Sequence, residues 1–367
     1  MVRRKICQII PTLDQGGAEK QMSLLASHLD RQQFESHVIV LTRSGPLEQT
    51  LRDAGVQVHL IGKRSKLDPS ALWRLTAKLR QLAPDVVHTW LFAGNSYGRW
   101  AAQRAGVPVI VAGERCVDPW KSWWNYEVDR RLLRYTQTIV TNTSAVADFY
   151  AQHGIAPKHF TVIPNAVVPM PHTRLTREQL FERLRIKPRG RVVGAVGRLW
   201  KQKGYRDLIW AGELLRVAQP DACLIIIGDG PEREALQAFR DRCGARDAVR
   251  LVGHRGDAAE LMSAFDVLWN GSLYEGQSNT ILEAMTMGIP TVASDIPGTR
   301  DLIEHGRSGY LYPPQDLGAL TRWTVGLLQD DERRAQMGSQ ARQRAAQSFS
   351  LTQMVQSHER LYQRLLS

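Results

Sequence analysis

Short apolar runs recur along the chain, each closed by glycine, proline or a polar cluster, with longer amphipathic stretches between them. Residues 5–10, 35–41, 56–60, 86–88, 109–112, 138–141 and 161–163 read as strands. Residues 18–29, 69–82 and 144–153 carry helical spacing. β-branched runs that alternate with amphipathic helices predict βαβ units and a parallel sheet. The pattern then restarts. Residues 191–197, 223–228, 249–252, 267–269, 291–294 and 309–312 predict a second sheet with helices between its strands. The stretch 163–171, with Pro164, Pro169 and Pro171, suits neither a helix nor a central strand and predicts a linker. Residues 317–367 read as mostly helical and strongly charged. No internal repeat or low-complexity segment interrupts the pattern.

The fold class is therefore α/β, with two Rossmann-like parallel-sheet domains expected to face a deep cleft. Open sheets of this kind bind ligands beyond the carboxyl ends of their strands, so the informative residues should follow strands. A length of 367 residues accommodates two such domains.

Charge adds a partner class. The net charge is +12, and residues 1–170 hold 21 Lys and Arg against 13 Asp and Glu, whereas the rest holds 27 against 23. A basic first half fits an anionic surface or an acidic substrate. The charges are scattered and no nucleic-acid-binding motif occurs, so nucleic acid is not an expected partner. The first apolar stretch is too short for a signal peptide and is broken by Gln8 and Pro11. No run approaches a membrane span. The expected location is the cytoplasm. Cys7, Cys116, Cys223 and Cys243 show neither metal nor disulfide spacing.

The strongest chemical signal is Glu275-Gly-Gln-Ser-Asn-Thr-Ile-Leu-Glu283. The amides of Gln277, Ser278, Asn279 and Thr280 open a helix and can face a phosphate. Glu275, ahead of the helix, can accept hydrogen bonds from sugar hydroxyls, and Gly276 makes the loop pliable. Glu283, about a turn inside, can reach a ribose diol. The competing reading is a capped helix with Glu283 on a wet face. After the first strand of the second domain come Arg198, Lys201 and Lys203, cations that can neutralise a leaving diphosphate. The chain has no Asp-x-Asp motif for Mg²⁺ or Mn²⁺, so Arg198 and Lys203 are expected to act in place of a metal. Gly16 and Gly17 follow the first strand, either as a phosphate-approaching turn or as a plain tight turn. His88 ends its strand and should point into the cleft, within reach of a sugar or phosphate. His254 and Arg255 follow another strand, where backbone groups could meet a nucleobase and Arg255 could stack on it. In residues 112–126, Trp120, Trp123 and Trp124 lie close to Arg115 and Lys121. This suits an acceptor site that stacks on sugar, a membrane interface, or a helix packed on the core.

With these motifs in order, the chain resembles glycosyltransferase family 4 and its two-domain GT-B architecture over nearly its whole length. The matching pieces are Gly16-Gly17, Ile163-Pro-Asn165, Gly197-Arg-Leu with Lys203-Gly204, Ile227-Gly-Asp-Gly-Pro231, the Glu275/Glu283 pair with Glu-Ala-Met-x-x-Gly-x-Pro, and Gly309-Tyr-Leu-Tyr-Pro313. The resemblance implies retaining transfer from a nucleotide sugar without a metal or other cofactor. It assigns the diphosphate to Arg198 and Lys203, ribose to Glu283, and donor sugar to Glu275. It gives sugar and phosphate contacts to the loop amides and places His88 near the sugar. It also implies domains of 1–168 and 169–345, with a helix over about 346–367 packing back on the first. Many family members have Phe-Gly where this chain has Gln277-Ser278, which leaves the sugar open.

The expected activity is therefore hexosyl transfer from a UDP- or GDP-sugar to a glycan or lipid-linked acceptor in cell-surface polysaccharide synthesis. Peripheral contact with the anionic inner face of the membrane would accompany it. The alternatives are a nucleotide-sugar epimerase of the same fold and a catalytically idle nucleotide-sugar-binding subunit.

Overall fold

The computed structural model describes residues 3–65, 67–117, 119–169, 174–187 and 190–367. Pro171 of the expected linker lies outside these residues. The chain divides into two compact units, residues 1–166 with 351–367, and residues 167–350.

The first unit contains strands β1 (Arg4–Thr12), β2 (Phe34–Arg43), β3 (Gln57–Leu60), β4 (Val86–Trp90), β5 (Val109–Glu114), β6 (Thr138–Thr141) and β7 (Phe160–Val162). Its helices are α1 (Gly17–His28), α2 (Leu47–Asp53), α3 (Pro69–Leu82), α4 (Leu91–Ala105), α5 (Trp123–Leu132) and α6 (Ser144–Ala151). The second unit has α7 (Arg177–Leu184) ahead of strands β8 (Arg191–Val196), β9 (Ala222–Ile227), β10 (Val249–Gly253), β11 (Val267–Asn270), β12 (Thr291–Ser294) and β13 (Gly309–Tyr312). Its remaining helices are α8 (Tyr205–Ala218), α9 (Arg233–Arg242), α10 (Ala258–Met262), α11 (Asn279–Met287), α12 (Pro297–Arg300), α13 (Leu317–Gln329) and α14 (Asp331–Ser348). The last helix, α15 (Leu351–Leu366), belongs to the first unit.

Each unit is one sheet. The strand orders are β3-β2-β1-β4-β5-β6-β7 and β10-β9-β8-β11-β12-β13. Every pairing is parallel, with Gln8 opposite His88 in the first sheet and Leu268 opposite Gly194 in the second. All thirteen strands expected from the apolar pattern are present, with ends displaced by at most two residues. Both orders reverse beside the strand that starts the sheet, between β1 and β4 and between β8 and β11. Crossovers leave such a reversal on opposite faces, and the loops there part to leave room for a ligand.

Each sheet is buried on both faces. In the first unit Ile6, Val38 and Val86 pack towards α1 and α15, whereas Ile9, Val87 and Ile110 pack towards α3 and α4. A fully buried Ile or Leu contributes about 1.5–3 kcal/mol. These strands therefore hold firmly the loops that follow them. Local signals set the helix ends. Asp68 caps α3 by accepting from the Ala71 amide at 3.0 Å, with Pro69 at the first helical position. The expected boundary at residue 345 falls inside α14, because Gly338 and Ala341 keep that helix on the second unit's core through Ser348.

Candidate functional site

In the second unit, the loops after β8 and β11 flank the strand reversal. Gly197 leaves β8 and Arg198 follows, exposed, with its guanidinium 5.9 Å from the Trp200 ring. One short turn later Lys203 pairs with Glu275, the first carboxylate of the loop after β11. Their approach rests on backbone contacts. The Leu273 amide donates to the Gln202 carbonyl at 2.8 Å, and the Gln202 side chain donates to the Tyr274 carbonyl at 2.8 Å. Gly204, at φ +63°, closes the turn. A Cβ there would stand 2.1 Å from the Gly271 carbonyl oxygen, so only glycine fits.

Glu275 is mostly buried. One of its oxygens takes Lys203 and the other, Oε2, is buried and makes no hydrogen bond to the described residues. A buried carboxylate oxygen without a donor is costly, so the site is poised to receive a donor there. Tyr205 lies beneath. Burial, and then the nearby Glu275 charge, push its phenol well above the usual range.

The loop then enters α11. Gln277 and Ser278 are buried, Asn270 donates to the Ser278 hydroxyl at 3.3 Å, and Thr280 donates to the Val196 carbonyl at 3.4 Å. These bonds tie the start of α11 to the ends of β8 and β11. The first-turn amides, with no acidic side chain among them, gather at a nine-residue helix whose N-terminal dipole favours an anion. Glu283 sits half-buried in the second turn of α11. His254 is exposed after β10. Arg255 beside it is held by both oxygens of Asp257 at 2.8 Å. Its fork is already engaged, which constrains the expected stacking on a base.

Two contributors were not anticipated from the sequence. Gly298, at the start of α12, touches the loop: a Cβ there would come within 1.8 Å of the Gly276 carbonyl oxygen and 2.7 Å of that of Glu275. The buried Tyr205 lies near enough to Glu275 to feel its charge. The run Ser294-Asp-Ile-Pro-Gly298 after β12 was the available signal for the first, since it is a strand end followed by Pro-Gly.

The first unit holds the other expected residues. Gly16 caps α1 in extended conformation and Gly17 is its first residue. His88 is not open to solvent as expected. It is 0% exposed, stacked on Trp90 at 4.7 Å and edged by Tyr362 of α15. A chain of hydrogen bonds holds its ring. Trp90 Nε1 can only donate, and it donates to Gln8 Oε1 at 2.7 Å. Gln8 Nε2 therefore donates to Tyr362 Oη at 3.3 Å. Tyr362 Oη and His88 Nδ1 are hydrogen-bonded at 2.7 Å, and His88 Nε2 is buried with no partner among the described residues. Burial, then electrostatic interaction with His358 and Arg115, hold the His88 pKa well below that of an ordinary imidazole.

Arg115 stacks on the other neighbour of this cluster, 4.3 Å from the Trp90 ring. It is 9% exposed, its Nε has no partner among the described residues, and burial lowers its pKa to about 10. Lys121 is fully buried. It donates to Glu114 at 3.0 Å, Asp129 at 3.2 Å and Tyr150 at 2.6 Å, and Arg99 pairs with Asp129. Its flanking tryptophans turn outward: Trp120, Trp123 and Trp124 are exposed. Among the described residues no three His, Cys, Asp or Glu side chains converge as metal ligands.

Comparison with known proteins agrees with this architecture. The family model described as Glycosyltransferase Family 4 matches residues 15–169, and that described as Glycosyl transferases group 1 matches residues 190–330. A 2-deoxystreptamine N-acetyl-D-glucosaminyltransferase of Streptomyces fradiae is 32% identical over 301 residues, which span 80% of this chain and 67% of that protein. A UDP-Gal:alpha-D-GlcNAc-diphosphoundecaprenol alpha-1,3-galactosyltransferase of Escherichia coli is 26% identical over 358 residues, 91% of this chain and 90% of that one. Among solved structures, Anabaena HepE with UDP and glucose superposes with a TM-score of 0.84 at 24% identity, covering 99% of this chain and 100% of HepE. The sucrose-phosphate synthase of Thermosynechococcus elongatus gives 0.79 at 19% identity, with 99% of each chain covered. At such identities the structural likeness shows the fold, which is GT-B. One family model lies on each unit, and the relatives align across both. The chain belongs to glycosyltransferase family 4.

Proposed function

We propose that this glycosyltransferase is retaining and metal-independent, and moves a sugar from a UDP-sugar to a glycan or lipid-linked acceptor in cell-surface polysaccharide synthesis. The observation that carries the donor site is the Lys203–Glu275 pair beside the start of α11, with Glu275 Oε2 uncommitted. In this reading Arg198 and Lys203 hold the diphosphate and offset the charge that grows on it as the glycosidic bond breaks. The amides of residues 277–280 share that task. Glu275 accepts from sugar hydroxyls, and Glu283 accepts from ribose. His254 and Arg255 line the base. Bond making occurs on the face that the diphosphate leaves. The acceptor oxygen bonds to the anomeric carbon, the carbon–phosphate oxygen bond breaks, and the acceptor proton passes to the departing phosphate. No side chain is then required as general base.

UDP is favoured over GDP because HepE was crystallised with UDP and with UDP-glucose, and the E. coli relative is named for a UDP-Gal donor. That same name, with its diphosphoundecaprenol acceptor, supports a lipid-linked acceptor. In the first unit, Gly16 and Gly17 at the start of α1 are the glycines that let backbone approach a phosphate. Arg115, Trp120, Trp123 and Trp124 serve the acceptor. His88 acts at one remove, through Trp90 and Arg115, because its ring is enclosed.

Arg198→Ala and Lys203→Ala should fold normally and lose transfer by about two orders of magnitude or more. In the native protein, UDP should raise the melting temperature in EDTA as well as without it. Full transfer by both variants would remove the diphosphate assignment. A shift that vanishes with EDTA would remove metal independence.

A further inference from the structure

We infer that Arg115 anchors a site for a phosphate group at the carboxyl ends of β4 and β5. Its charge is buried and unbalanced. The buried Lys and Arg side chains among the described residues are Arg99, Arg115 and Lys121. Lys121 pairs with Glu114 and Asp129, and Arg99 pairs with Asp129. Arg115 has no such partner: its guanidinium forms no ion pair with the described residues and lies on the Trp90 ring.

The surroundings supply no negative charge. His88, His358 and Tyr362 lie near enough to interact with Arg115, and all three are fully buried. Burial keeps the two imidazoles unprotonated and the phenol protonated, so each is neutral at pH 7. Polar atoms in this cluster also go unmatched. Arg115 Nε, His88 Nε2 and His358 Nε2 are buried with no partner among the described residues. Gly113, on β5, leaves room beside one of them. A Cβ there would stand 3.4 Å from His88 Nε2 and 3.7 Å from Trp90 Cδ2. Buried groups without partners call for an explanation, and three in one cluster mark a place where something else supplies the bonds. Water would serve the imidazoles. Only an anion offsets a guanidinium held out of water.

The position suits a ligand. Arg115 directly follows β5, and Trp90 ends β4, the strand at which the order of the first sheet reverses. Open parallel sheets take ligands at that end of that strand. A guanidinium matches the paired oxygens of a phosphate with a fixed fork of N–H groups. The source of the phosphate rests on the lipid-linked acceptor proposed above, whose sugar is joined to its carrier through phosphate. Free phosphate presents the same chemistry.

The test needs no transfer activity. The melting temperature of the full chain would be recorded in saturating UDP, which fills the donor diphosphate site. Inorganic phosphate or a short prenyl diphosphate would then be added at constant ionic strength. The prenyl diphosphate should raise the melting temperature further, by about 2–4 °C. Arg115→Met should weaken its binding at least about tenfold and remove that rise. Arg115→Lys, which keeps the charge but not the fork, should retain part of it. Both variants should keep the rise that UDP causes. An equal response to inorganic phosphate would assign the site to free phosphate, and a response to the prenyl compound alone assigns it to the acceptor. No response to either probe, or an undiminished one in Arg115→Met, overturns the inference. Without ligand, Arg115→Met should melt no lower than the unaltered protein, because it removes a buried charge that lacks a partner. A marked fall would also overturn the inference and make the guanidinium a packing element on Trp90. The UDP response is read separately, so the donor reading and this one can fail independently.

Discussion

Glu275 and Arg115 show how individual residues carry this molecule's chemistry: each is a buried charge with an atom left over. Glu275 gives one oxygen to Lys203, and Arg115 rests on Trp90 with Nε unpaired among the described residues. Sequence made the first visible, because a carboxylate ahead of a helix start is a local pattern. It misplaced His88, since the ring's surroundings come partly from α15, an element whose position no local spacing encodes. The imidazoles around Arg115 have a measurable consequence. His358, like His88, is enclosed, and burial first, then the Arg115 charge, lower its pKa to about 3. Both rings stay neutral when folded but take a proton near pH 6.5 when unfolded. The unfolded state therefore binds more protons below about pH 6.5. Stability is full above that pH and falls by about 1.4 kcal/mol per group for each pH unit below it, down towards pH 3 for His358. Urea unfolding at pH 7, 6 and 5 should show this slope. His358→Gln should flatten it, and parallel curves for the two proteins would show that the ring does not titrate on unfolding.

At the scale of elements, strands were the legible part. Their β-branched runs and glycine stops are local, and each predicted strand exists. Contacts between elements were not legible. The seat of α12 against the Glu275 loop is one. Gly298→Ala would drive a methyl group into the Gly276 carbonyl, 1.8 Å away, and so displace the loop that carries Glu275. A shift of about 1 Å in a reacting group costs about a hundredfold in rate. Gly298→Ala should lower kcat/KM to that extent while the protein still folds. Gly326→Ala, with no atom within 4 Å, is the matched control and should be silent. Equal activity in the two would show that the loop does not depend on α12. The buried Lys121 network is the other such contact. Removing one member of an ion pair this deep costs about 3–5 kcal/mol, since its partners stay charged and buried.

For the whole molecule, the excess of basic residues in the first half gave a partner class, an anionic one, but not a location. The structure divides those charges. Arg99, Arg115 and Lys121 are interior, whereas Arg74, Lys78, Arg80 and Arg104 lie at or near the surface. Net charge alone does not distinguish the two groups.

Helix α15 has a consequence for how the protein is made. Met354, Val355, Leu361 and Tyr362 complete the same core as Ile6 and Met22, although more than three hundred residues separate them in the chain. A ribosome delivers the start of the first unit long before its last wall. Until α15 emerges, the side of the sheet lined by Ile6, Val38 and Val86 stays partly uncovered. The second unit, residues 167–350, is continuous and can close first. Pulse-labelled chains probed with protease should therefore show the later-made unit becoming resistant before the earlier-made one. A chain stopped after Ser350 should keep a protected second unit and a digestible first. Protection of both units in that shortened chain would show that α15 is dispensable to the core.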